Sequence, residues 1–178
     1  MQRSGDRLTQ TGFTLLETLL VIIMVGVLSS IAAVSWLALI DRQRLTMTQD
    51  RALQVMREAQ ANAKRTQRVW EACIRETGDR VQASVHARPW GSSQTCATDR
   101  WETIAPSPAI DLDTDNSTLY NKNGVYRIQF QPRGTVNGRL GRIVFTIGNR
   151  GDEAPKRCIF VSTLLGALNR RADEKCER

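Results

Sequence analysis

One histidine in 178 residues, His86, sets the first limit on what this chain can do. There is no G-x-S-x-G, Walker loop, H-E-x-x-H or G-x-G-x-x-G, so no nucleophile, acid, base or phosphate cradle can be assigned. An enzyme is not expected, and no cofactor is implied. The four cysteines form no C-x-x-C pair. With a single histidine reading as a loop residue beside Pro89, zinc is the weaker use for them and disulfides the stronger. Aromatic residues are sparse at 6%, which disfavours a stacking groove for single-stranded nucleic acid. No internal repeat or low-complexity tract occurs. No small-residue A-x-A cleavage site follows the apolar run near the start, so a removable secretory signal is excluded.

That apolar run is the most informative feature present. From Thr18 to Ile40 there are 23 residues without a charged side chain, enough as a helix to cross a hydrocarbon core of about 30 Å. Arg3 and Arg7 outweigh Asp6 in the leader before it. Basic flanks stay in the cytoplasm, which orients the span N-in, C-out and exports everything after Ile40.

Glu17 is the one charge at the mouth of the run. An acid at a span's centre costs roughly 2.5–3.5 kcal/mol, and less near the interface where Glu17 sits. Such a residue implies a purpose, here a charge partner supplied by an assembling neighbour. In low dielectric that pair is strong enough to set the axial register between subunits.

Thr11-Gly12-Phe13-Thr14-Leu15-Leu16-Glu17 followed by the apolar run resembles the class III signal of type IV pilins and type II secretion pseudopilins. The resemblance implies cleavage after Gly12 by a membrane-embedded prepilin peptidase, N-methylation of Phe13, and Glu17 as the assembly glutamate. It implies other pilin or pseudopilin subunits and the inner membrane as partners, and then a periplasmic or cell-surface filament. One departure is that many pilins carry an I-A-x-P sequence where this chain reads Ile31-Ala32-Ala33-Val34. Without proline the helix keeps its hydrogen bond there, leaving Gly26 as the expected soft point.

Beyond the membrane the helical period continues. Leu45, Ala52, Val55, Met56, Ala59 and Ala63 make an apolar stripe between charged residues, so one helix is expected from Phe13 to about Arg65. The period then changes to two. Tyr126–Phe130 and Ile143–Ile147 alternate as half-buried strands, with Pro132-Arg133-Gly134 and Asn137-Gly138 supplying turns between them. Cys158 to Ser162 reads as another strand and Val69 to Ile74 as a further one. The stretch 89–123 reads as a long loop with short strands.

The expected fold class is α+β and pilin-like: a long N-terminal helix, membrane-spanning in its first half, packed on a C-terminal antiparallel sheet. The expected divisions are leader 1–12, assembly helix 13–40, amphipathic continuation 41–66 and β-rich domain 67–178. The helix with Arg57-Glu-Ala-Gln-Ala-Asn-Ala63, then Ile128-Gln-Phe-Gln-Pro-Arg-Gly134 and Arg157-Cys-Ile-Phe-Val-Ser162, is similar to the GspH/FimT group of minor pilins and pseudopilins. DNA-receptor members of that group carry Gly-Arg-x-Arg in the tail, where this chain reads Gly166-Ala-Leu-Asn-Arg170-Arg171.

All four cysteines lie beyond Ile40, which fits export into an oxidising compartment. Three connectivities are open, and pairing sequence neighbours gives Cys73 with Cys96 and Cys158 with Cys176. Net charge is +7, and the stretch 122–178 holds twelve basic and five acidic residues. That excess attracts phosphate polyanions, with Arg139, Arg142, Arg170, Arg171 and Lys175 as the DNA candidates. Solvated surface charge and subunit contacts use the same residues equally well. Asp111, Asp113 and Asp115 alternate as a calcium loop would, but Asn116 and Lys122 replace the Gly and Glu of an EF-hand. The reading is therefore a minor pilin or pseudopilin. The alternatives are a DNA-binding minor pilin for DNA uptake and a plain membrane-anchored periplasmic domain.

Overall fold

A computed structural model describes residues 14–88, 96, 100–148 and 154–177, and within these the side chains of 31–35 lie outside the description. The chain divides into two compact units, 1–39 and 40–178. Helix α1 runs Leu15–Thr66 and passes unbroken through Gly26.

Among the described side chains of the first unit, α1 exposes apolar groups on every side, with Glu17 as the one charge. Leu15, Leu16, Ile22, Val27, Leu28 and Trp36 all point to the exterior, with Leu15 83% exposed. A helix apolar all round is made for lipid or for other helices, because water would charge for every such side chain. Among the described residues, no helix is long and apolar enough to cross a membrane. The apolar residues 31–35, which the sequence reading counted into the span, are those whose side chains lie outside the description.

The second unit builds a core on the rest of α1. Leu45, Ala52, Leu53, Met56, Ala59 and Ala63 are buried at helical spacing, and three of these six are alanines that let strands approach the helix closely. Thr48 and Gln49 share the same buried face although they are polar.

Among the described residues nine strands follow: β1 Trp70–Thr77, β2 Arg80–Ala87, β3 Glu102–Thr103, β4 Ile110–Leu112, β5 Tyr120–Lys122, β6 Val125–Phe130, β7 Gly141–Ile147, β8 Lys156–Val161 and β9 Leu168–Ala172. They form two antiparallel sheets, of order β3-β2-β1-β6-β5 and β4-β7-β8-β9. Ala72, Ile74, Val81, Tyr126, Ile128 and Phe130 from the first join Ile110, Ile143, Phe145, Ile147, Ile159 and Val161 from the second in one core with the helix.

A single sheet with β6 and β7 joined by turns was the sequence expectation, and the two strands instead belong to different sheets. The connection 131–140 is long for a hairpin and folds on itself, with Gly134 N–H donating to Gln131 O at 2.7 Å. Gly134 sits at φ +79°, and a Cβ on Gly166 (φ +85°) would lie 2.6 Å from the Gly134 carbonyl oxygen. Gln60 of α1 donates to both glycine carbonyls, at 2.9 and 3.2 Å. Gly166 thus serves close packing against the helix.

Candidate functional site

Glu17 lies in the first turn of α1. Its N–H donates to Thr14 Oγ1 at 3.3 Å, and Thr18 N–H donates to Thr14 O at 3.1 Å. Thr14-x-x-Glu17 therefore has the spacing of a capping box, with the acid three residues after the cap where the helix dipole favours negative charge. That local role was readable in the sequence and was missed. Gly12 and Phe13, the expected cleavage and methylation positions, lie outside the described residues.

Beyond the helix, each sheet carries an ionic cluster on its outer face, held under a disulfide. On the five-stranded sheet Cys73 is bonded to Cys96. Glu71 stands opposite His86 on β2 and opposite Gln129 on β6. Its carboxylate accepts the Cys96 N–H at 3.0 Å and a hydrogen bond from Gln129 Nε2, and it faces Arg127 Nη1 at 3.4 Å and Arg88 Nε at 3.8 Å. Burial alone would raise its pKa, but the bonds from His86, Cys96 and Gln129 and the Arg127 charge outweigh that and hold it at about 2. Four successive buried residues, Glu71 to Ile74, break the expected alternation in β1 because this cluster covers the strand's outer side as well. His86 belongs to β2, which corrects the expectation of a loop residue. The signal that could have found the cluster is one acid inside Trp70-Glu-Ala-Cys-Ile74, a stretch otherwise suited to a strand.

On the four-stranded sheet Cys158 is bonded to Cys176 in the short 3-10 turn Asp173–Cys176. Buried Lys156 pairs with Glu177 at 2.7 Å and Asp113 at 3.5 Å. The Glu177 bond leads the effects that raise its pKa over the opposing desolvation. Asp113 is also bound by Asn116 N and Nδ2, at 3.0 and 2.8 Å. Among the described residues, Asp111, Asp113 and Asp115 do not converge as a metal site. Asp113 serves the lysine, and burial raises the pKa of Asp111, with the Asp79 charge adding to it.

The five DNA candidates do not form one patch. Arg170 points from β9 to the helix, where it pairs with Asp50. Arg171 stands on the opposite face with its guanidinium 4.8 Å from the Phe160 ring, and Arg142 lies 5.7 Å from the same ring. Arg142 also donates to Asn116 O at 2.8 Å and Glu177 O at 3.0 Å, which makes it a structural strut. Arg139 lines an open cleft of about 420 Å³ with Tyr120, Arg127 and Asn137. Lys175 lies in the C-terminal turn. The sequence treated residues 166–171 as a tail, and the structure makes Leu168–Ala172 a sheet strand.

Two crystal structures of the type IV minor pilin FimU from Pseudomonas aeruginosa superpose on this architecture. One has a TM-score of 0.54 at 14% identity, covering 76% of this chain and 97% of that one. The second crystal form gives 0.50 at 14% identity, over 74% and 99%. The fold is that of a type IV minor pilin. No protein-family profile and no curated protein matches the chain. At such low identity the minor-pilin likeness speaks for the architecture, α+β with a long N-terminal helix, and for nothing finer.

Proposed function

We propose that the chain is a minor pilin or pseudopilin subunit of a type IV pilus-like filament or secretion pseudopilus. It is inserted in the inner membrane, trimmed after Gly12 by prepilin peptidase, methylated at Phe13 and assembled through the N-terminal helix. The observation that carries this is the first half of α1, which exposes apolar side chains on all sides in a chain with the minor-pilin fold. Such a surface is uncovered work for neighbours or lipid. Glu17, exposed at the first turn, supplies the carboxylate that a neighbour's terminal amine can meet. Glu17→Ala tests the assignment. Membrane insertion is expected to stay intact while incorporation into filaments falls at least about tenfold, the effect of losing one charge pair of about 1.4 kcal/mol or more. Unchanged incorporation would refute the role.

A second reading, DNA binding by the exported domain, has one specific support. Arg171 and Arg142 flank the half-buried ring of Phe160, so cationic and aromatic groups share one outer face. Duplex titration at two salt concentrations tests it. Affinity that is indifferent to salt and to Arg171→Ala removes it.

A further inference from the structure

The turn between β8 and β9 carries apolar groups that the core does not take. Of the large apolar side chains described in the second unit, Leu165 and Leu164 are the most exposed, at 79% and 60%. The turn that presents them is fixed. Ser162 N–H donates to Ala167 O at 2.9 Å, Gly166 N–H to Thr163 O at 3.0 Å and Val136 N–H to Leu164 O at 2.8 Å. Gly166 also packs so closely on Gln60 and the Gly134 carbonyl that no side chain fits there. Two leucines held in water by an ordered turn leave their burial to a partner, with little ordering still to be done on binding.

Charge at this end of the second unit has one sign. Segments 59–70, 131–140 and 162–169 meet where α1 stops, through the Gln60 bonds to Gly134 O and Gly166 O and the Lys64 side chain lying against Gly134. They contain five cations, Lys64, Arg65, Arg68, Arg133 and Arg139, and no acid. All five are exposed, and none pairs with a carboxylate among the described residues. Elsewhere cations are answered within the chain, Arg170 by Asp50, Arg157 by Asp173 and Lys156 by Glu177.

We propose that this end of the domain, with Leu164 and Leu165 at its apex, docks on an anionic lipid surface. The leucines enter the headgroup layer while the surrounding cations meet lipid phosphates, so that buried apolar area and Coulomb attraction add. A nucleic acid would meet the same cations, but it has no use for two leucines at the apex, and the turn 162–167 offers no aromatic ring for bases to stack on. A second copy meeting this end with its own would set cation against cation. The lipid addressed here is a second surface, separate from the bilayer in which the N-terminal helix lies.

The test uses the full chain held by its N-terminal helix in nanodiscs of phosphatidylcholine. That step rests on the membrane insertion proposed above and is scored first, by size-exclusion chromatography. A chain that stays out of the discs refutes the insertion alone and is then presented to the vesicles directly. Capture by vesicles containing phosphatidylglycerol should exceed capture by pure phosphatidylcholine vesicles at least about tenfold and should fall as salt rises. The double variants Leu164→Gln/Leu165→Gln and Arg133→Gln/Arg139→Gln should each weaken it about tenfold or more. Thermal melts should be unchanged in both, because all four side chains are exposed. As an independent readout, Leu165→Cys takes an environment-sensitive fluorophore in a chain whose own cysteines are all bonded in pairs. Its emission should shift to the blue on anionic vesicles only. Equal capture by both kinds of vesicle, capture indifferent to the leucines, or an unshifted emission overturns the proposal. Capture indifferent to the leucines and displaced by duplex DNA assigns this end to nucleic acid instead.

Discussion

Gln49 on the buried face of α1 donates its amide to the carbonyl oxygen of Cys158 at 2.7 Å, and the same nitrogen reaches the Arg171 carbonyl at 2.9 Å. A polar side chain in the helix's core stripe therefore ties it to β8 and β9 together. Gln60, about three turns further along, does the same for the glycine turns at 134 and 166. The helix is held on the sheets by two amides as well as by its alanines and leucines.

Gln49→Leu keeps the volume but leaves two carbonyls without that donor. A loss of about 1–3 kcal/mol is expected in urea denaturation of the 40–178 unit. Gln49→Glu should cost at least as much, because a buried carboxylate would face two carbonyl oxygens.

Glu71 makes the fold acid-sensitive in a defined window. Its folded pKa is about 2 against an ordinary 4.5, so its contribution is fully present above about pH 4.5 and is lost as pH falls through 2. The shift corresponds to about 3 kcal/mol. Denaturation midpoints at pH 6, 4 and 2.5 should show the decline in the natural sequence. Glu71→Gln should start lower at pH 6 by about 2–4 kcal/mol and remain flatter across that window.

The two adjacent arginines of β9 should behave differently toward polyanions. Arg170 is engaged by Asp50 and Arg171 is on the other face. If duplex DNA binds, Arg171→Ala should weaken binding and reduce the salt slope by about one, while Arg170→Ala leaves both nearly unchanged. Arg170→Ala should cost under about 1 kcal/mol of stability, since the pair is solvent-exposed.

Replacing Cys158 and Cys176 together by serine removes a link closing a sequence separation of 18. About 3 kcal/mol of stability should go with it in the chain-entropy account. The loss should exceed that if the C-terminal turn leaves the sheet, because Lys156 would then be without Glu177. Thermal melts of the oxidised double variant against the natural sequence give the measurement.

Much of the architecture was legible in the residues because it obeys simple periods. The helix, Tyr126–Phe130 and Ile143–Ile147 announce themselves by spacing, and the disulfides join the pairs that sequence neighbours gave. Arg80–Ala87 was missed because polar Gln82, Ser84 and His86 occupy one face, where His86 meets Glu71 and Gln82 accepts from Arg75. Leu168–Ala172 was missed because Asn169, Arg170 and Arg171 read as a basic tail. The division into two sheets was not visible at all, since alternation tells which face of a strand is buried and not which strand lies beside it. At the start of α1, Glu17 stands out in the sequence by its isolation among apolar residues. Its local partner Thr14 does not, because the cap bonds the backbone N–H of Glu17 and leaves no mark in the charge pattern.

Processing and retention of the N-terminal helix remain the centre of the account. The most direct measurement is the intact mass and N-terminal fragment series of the chain recovered from assembled filaments or the membrane. The account predicts a polypeptide beginning at a methylated Phe13 with the following apolar helix retained. A functional chain that still begins at Met1, or one shortened beyond Ile40, would contradict it.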